Sequence, residues 1–212
     1  MENEYEAKVK EFLMEKENLA AALEVADHMQ EVKRLLVLRF WHAVADDVQR
    51  RTEQMPTWMM LVDSDEKLQR GTGEPGMYLE PKSRHSDPGY FAFKLGDGAD
   101  AGLFYGILCA GEKSGELRAI AARLPEFRLL KEQLDTFPTE KWGSDWLVGR
   151  YLDELTDRKA IRANENIKRL AQGNSLADSA AAAFVELVET YKDSVEAING
   201  AIAKSAGTPS PA

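Results

Sequence analysis

Glu80-Pro81-Lys82, with Asp63 or Asp65 upstream, is the only stretch of this sequence whose letters fit a hydrolytic centre. Two carboxylates can hold Mg²⁺ while a lysine polarises water or phosphate, which is the donor set of a divalent-metal nuclease. Asp63, Glu80 and Lys82 are therefore the candidate catalytic residues, although Pro81 sits inside the motif. Gly71-Thr72-Gly73-Glu74-Pro75-Gly76 matches a dinucleotide-binding glycine pattern in letters only. That chemistry needs a strand before the glycines and a helix after them. Here a strand follows, Pro75 removes an amide donor and Glu74 repels phosphate, so the segment reads as a hairpin loop. His28, His42 and His85 lack metal-ligand spacing, and His42 beside Trp41 reads as a packed, hydrogen-bonded histidine. The single cysteine, Cys109, lies in an apolar run and reads as a small buried hydrophobe. No metal site and no cofactor are expected.

Binding chemistry is more strongly written than catalysis. The chain carries 27 basic and 36 acidic side chains, a net charge of -9, which argues against gripping duplex nucleic acid through its phosphates. Glu186, Glu189, Asp193 and Glu196 recur at helical steps and form an acidic stripe. Arg158, Lys159, Arg162, Lys168 and Arg169 are interleaved with acids and read as a salt-bridged surface helix. Tryptophan and tyrosine dominate binding hot spots, and Tyr105, Trp142 and Trp146 are the candidates here.

The elements that must position these groups follow from periodicity. Tyr5, Val9, Phe12, Leu19, Leu23, Ala26, Val32, Leu36, Phe40, Val44 and Val48 recur every three or four residues with no Gly or Pro before Pro56. This predicts one helix of about 75 Å at about 1.5 Å per residue, or two helices bending near Asp27-His28. Val32–Trp41 is apolar nearly all round and is expected to be buried on several sides. From Thr57 to Gly111 the period becomes two, in runs at 58–62, 77–79, 90–95 and 102–109 separated by Gly, Pro, Asp and Ser. Short turns imply an antiparallel four-stranded meander, and Lys141–Leu152 is expected to hold a loop and a fifth strand. Short helices are expected at Gly115–Leu124 and Pro125–Thr136, then one from Thr156 to about Gln172 and a last one capped by Asn174 or Ser175. Ala177, Ala180, Phe184, Leu187, Tyr191, Val195, Ile198 and Ile202 make that last helix a bundle seam.

The fold class is thus α+β, an antiparallel four- to five-stranded sheet with long N- and C-terminal helices. Residues 1–55 form a helical stalk, 56–153 the sheet with short helices, 154–205 a helical pair packing on the stalk, and 206–212 a disordered tail. The terminal helices are expected to pair, with the sheet at one end of the pair. An acidic N-terminus without a basic-then-apolar leader, and no apolar run of roughly 18 residues, imply a cytoplasmic protein.

Arg39-Phe40-Trp41-His42-Ala43-Val44, then Leu103-Phe104-Tyr105-Gly106-Ile107, then Trp146-Leu147-Val148-Gly149-Arg150-Tyr151-Leu152 follow one another in this order. The series resembles the C-terminal accessory half of bacterial PD-(D/E)XK nuclease-superfamily proteins, over residues 30 to 200. The nuclease core of those proteins has no counterpart here. The resemblance implies an accessory or recognition module without the catalytic domain. The expected function is a non-catalytic acidic interaction module that binds a protein or nucleoprotein complex. Bacterial defence or phage counter-defence, with acidic mimicry of nucleic acid, is the expected setting. Homodimerisation through the terminal helices is a further expectation. The alternative is the divalent-metal nuclease using Asp63, Glu80 and Lys82.

Overall fold

The computed structural model describes residues 4–71, 73–83, 89–98, 102–111, 113–134, 145–152 and 161–206. In chain order the elements are α1 (Glu4–Met14), α2 (Lys16–Thr52), β1 (Trp58–Val62), α3 (Asp65–Arg70), β2 (Gly76–Pro81) and β3 (Tyr90–Gly98). They continue with β4 (Gly102–Ala110), α4 (Ser114–Ala121), α5 (Pro125–Leu134), β5 (Trp146–Tyr151), α6 (Asn164–Gln172) and α7 (Ser175–Ala206). The class is α+β, with long helices at both ends.

The N-terminal run breaks at Glu15, not near Asp27-His28, and no Gly or Pro causes it. Asn18 does: its side-chain amide donates to the Phe12 carbonyl at 2.9 Å and to the Glu15 carboxylate at 3.0 Å. An asparagine amide that bonds to nearby groups competes with the helical ladder, and Glu15 is left extended. Beyond that joint α2 is continuous for 37 residues, about 55 Å at the helical rise.

The five strands form one antiparallel meander in the order β1-β2-β3-β4-β5. Register places Phe91, Phe93 and Leu95 opposite Cys109, Ile107 and Tyr105 on one face, and all six are buried. Helix α7 crosses this face. Asn199 closes it at one end, donating from Nδ2 to the Phe91 carbonyl at 3.0 Å and accepting the Phe91 N–H at 2.8 Å. Phe127 of α5 stacks on Phe91 at 5.9 Å. Pro81 is tolerated in β2 because β3 pairs only with Gly76–Leu79, so no partner asks for its missing N–H.

Val37, Phe40, Trp41, Val44 and Val48 of α2 join the same core as Phe184, Leu187, Val195 and Ile198 of α7. The two long helices do pack together, α2 through its buried residues from Val37 onward, and α7 is the one of the two that lies against β3 and β4. Among the described residues none before Val37 is buried. Val32 and Leu35, inside the segment expected to be enclosed, are exposed. No helix among the described residues is long and apolar enough to cross a membrane.

Other boundaries differ from the sequence expectation. The connection from β1 to β2 contains the helix α3, so Gly71–Gly76 links a helix to a strand and is no hairpin loop. Ser64 caps α3 by accepting the Lys67 N–H, and Gly71 ends it in the left-handed region at φ 68° with its N–H on the Lys67 carbonyl. Helix α6 starts at Asn164; Thr156, Arg158 and Lys159 lie outside the described residues, and Arg162 precedes the helix. The tail expected at 206–212 lies outside them from 207 on.

Candidate functional site

The metal-nuclease residues stand on neighbouring strands but not together. Register sets Glu80 opposite Met59, whereas Asp63 follows the far end of β1. Met59 and Asp63 are four positions apart, about 13 Å along a strand, too far for two carboxylates to share one ion. Asp63 is already engaged, accepting from Lys67 Nζ at 2.8 Å and from the Gly76 N–H at 2.9 Å. It braces α3 against the start of β2. Glu80 is buried, and Lys82 lines a shallow depression with Thr52, Met55 and Trp58. Among the described residues no group of three or more His, Cys, Asp and Glu side chains could hold a metal ion.

Of the acidic stripe, Glu186, Glu189 and Asp193 are exposed along α7. Glu196 is not free. It accepts from the Thr57 hydroxyl at 2.5 Å and from the indole N–H of Trp58, clasping the first residue of the sheet to α7. Tyr105 is buried and lies with Glu186, Arg150 and Tyr191 in a cleft of about 220 Å³ between the sheet and α7. Trp142 and His85 lie outside the described residues. His42 is solvent-exposed instead of packed, because it falls one step off the buried face of α2; its ring meets Asp65 at 3.1 Å. Cys109 is buried, and burial pushes its thiol pKa up, which makes it a poor nucleophile.

Trp146 stands on the sheet face turned away from α7, edge-on to Phe104 at 5.3 Å. Periodicity identified the aromatics there but not their occupant. Lys94 lies over Tyr78, Phe104 and Trp146, with Nζ at 5.3, 5.4 and 5.7 Å from the ring centroids. Its ammonium pairs with the Glu74 carboxylate at 3.3 Å. Burial lowers the Lys94 pKa, and Glu74 opposes that shift. Gly96 makes room for this arrangement: a Cβ there would come within 2.6 Å of the Phe104 ring. The result is an internal cation held against three rings.

Two surfaces remain open. The first is the arm formed by α1 and the first half of α2, where Phe12, Leu19, Leu23, Val25, Met29, Val32 and Leu35 are exposed. Ala22, Val25, Met29, Val32 and Leu36 follow one another at alternating steps of three and four, the spacing of a helix-pairing seam. The arm is acidic around that seam, with Glu11, Glu15, Glu24, Asp27 and Glu31 exposed.

The second is a cleft of about 510 Å³ at the root of the arm, lined by cations from three elements. Lys33 and Arg34 come from α2, Arg70 from α3, and Arg162 from the segment before α6. Arg162 donates to the buried Asp97 and to the Leu68 and Gln69 carbonyls that end α3. Asp97 also accepts from the Ile161 N–H at 3.4 Å, and burial raises its pKa against the pull of Arg162. These residues are far apart in sequence, and only the position of Lys33 on the inward face of α2 could have signalled the cleft. Comparison with protein-family models, curated proteins and solved structures gives no match for this chain.

Proposed function

We propose that this chain is a non-catalytic protein-binding module whose gripping element is the N-terminal arm. One observation carries the reading: from Phe12 to Leu35 a long helical segment keeps its large apolar side chains in water, ahead of the first buried residue of α2. Exposed apolar surface of that extent on a folded chain marks an interaction site. The heptad-like seam fits a partner helix, and the acidic flanks favour one with basic flanks. Two arms of this chain would bring like charges together, so a heterologous partner fits better than a homodimer. The row of Glu186, Glu189 and Asp193 spans only about 10 Å, short for imitating a nucleic-acid backbone, so the reading does not rest on mimicry.

The test is capture from a native lysate with three forms of the full chain. Val25→Asp/Met29→Asp should lose a stoichiometric partner while keeping the wild-type Tm. Glu186→Lys/Glu189→Lys/Asp193→Lys should keep it. Equal capture by the arm variant would refute the arm as the gripping surface. A concentration-dependent dimer in light scattering, abolished by the same arm variant, would replace the heterologous partner with a second copy.

A further inference from the structure

We propose that the cleft between α2, α3 and Arg162 binds a phosphate-bearing small molecule of nucleotide size. Its volume, about 510 Å³, is within the range of small-molecule sites. Four cations converge on it in a chain whose net charge is -9, so the cluster runs against the overall distribution. Such cations repel one another, and a bound anion relieves that repulsion.

The helix face above the cleft gives a separate argument. Val48, Val44 and Val37 are buried at helical steps, and the same steps continue to Lys33 and Gln30. Apolar side chains at those two positions would extend the core and fill the space. The sequence places an amine and an amide there instead, and the space stays open.

The four cations are also in different states of readiness. Arg162 is held in place by Asp97 and the α3 carbonyls, with a quarter of its side chain exposed, so it presents a fixed guanidinium at the base whose charge Asp97 balances. Lys33 makes no hydrogen bond or ion pair with the described residues. Arg34 and Arg70 pair only with acids on their own helices, Glu31 at 3.5 Å and Glu66 at 2.9 Å, all more than half exposed. Exposed pairs of this kind contribute little, so a ligand can displace them at small cost. Guanidinium forks match phosphate oxygens in geometry, and Val37 offers an apolar contact for an organic group. A nucleic-acid strand leaving the cleft would meet Glu24, Asp27 and Glu31 of the arm, which favours a ligand that ends inside.

The test is calorimetric titration of the full chain with inorganic pyrophosphate, ATP and a short single-stranded RNA. Pyrophosphate and ATP should bind one per chain and compete. Tighter ATP than pyrophosphate assigns an organic ligand seated on Val37; equal affinities assign the phosphate moiety. Lys33→Ala/Arg70→Ala leaves the Arg162–Asp97 pair intact and should weaken both by about 100-fold, roughly tenfold per cation. Lys131→Ala/Lys192→Ala, on α5 and α7, should leave them unchanged. Absence of binding at millimolar ligand would overturn the proposal. So would equal binding by the Lys33/Arg70 variant, or RNA displacing pyrophosphate at lower concentration.

Discussion

Glu196→Ala tests whether the last member of the acidic row on α7 serves binding or folding. Its carboxylate accepts from Thr57 and from the indole N–H of Trp58, whose side chain is buried at the edge of the sheet. Truncation leaves that indole donor without an acceptor, at a cost of about 1–3 kcal/mol. The Thr57 hydroxyl is exposed and recovers its bond from water, adding about 0.5 kcal/mol at most. Water reaches the half-buried position of residue 196 in part, so the net expectation is about 2 kcal/mol. For a chain of this size that lowers Tm by roughly 4–8 °C. Urea unfolding followed by tryptophan fluorescence gives the number. Glu196→Gln keeps an acceptor oxygen and should cost about 1 kcal/mol. Charge reversal at Glu186, Glu189 and Asp193 should stay within about 0.5 kcal/mol of wild type, as exposed substitutions do. A Glu196→Ala protein as stable as wild type would refute the clasp and return Glu196 to the solvent-facing row.

The cap of α3 and the lysine on the far face of the sheet give two further expectations. Gly71→Ala and Gly73→Ala both force alanine into the left-handed region, at φ 68° and 69°, for about 1–2 kcal/mol. Among the described residues only at position 71 does the new Cβ meet a neighbour, 2.2 Å from the Arg162 guanidinium carbon that Asp97 holds in place, so Gly71→Ala should be the more destabilising by about 2 kcal/mol in a denaturant melt. Lys94 has a folded-state pKa below 10.5, so the unfolded chain binds more protons between the two values and stability rises with pH across that window. Lys94→Met should remove this rise while keeping the fold. Tyr78, whose pKa burial raises, pulls stability down above about pH 10, so the comparison is the difference between wild type and variant. A difference that does not change with pH would refute the buried-lysine account.

The meander was legible because its signals are local. Alternation in Tyr90–Leu95, the all-apolar run Leu103–Cys109 and the turn residues between them need no distant contact to act. The core half of α2 was legible too, but Val32 and Leu35 look no different in sequence from Val37 and Phe40. What separates them is the face: Leu35 is in helical step with the exposed Arg39, His42 and Asp46, opposite the buried stripe of Val37, Trp41, Val44 and Val48, and the all-round apolar composition of the segment hid that. Helix α3 escaped because six residues hold too little periodic pattern; its signals were the cap Ser64, the acids Asp65 and Glu66, and Gly71. The break at Glu15 escaped because the agent is an asparagine side chain and not a glycine or proline. The cleft residues were individually visible as charges, yet Arg162 was assigned to a surface helix. Its partner Asp97 is a strand residue with no sequence tie to it. Similarly, Glu196 looked like one more stripe carboxylate until Trp58 was placed beside it.

Because α2 is one unbroken helix, its exposed and buried halves share a single angular scale. Each residue turns the helix by about 100° and advances it about 1.5 Å. Val25 on the arm therefore stands about 18 Å above Val37, at a fixed bearing relative to the core. The helix works as a shaft seated at Val37, Phe40 and Trp41, with its free end in water. A load placed on the seam acts as a torque about that seat, and Lys33 and Arg34 lie between the load and the bearing. The joint at Glu15, pinned by the Asn18 amide on Phe12 and Glu15, sets the direction in which α1 leaves that shaft.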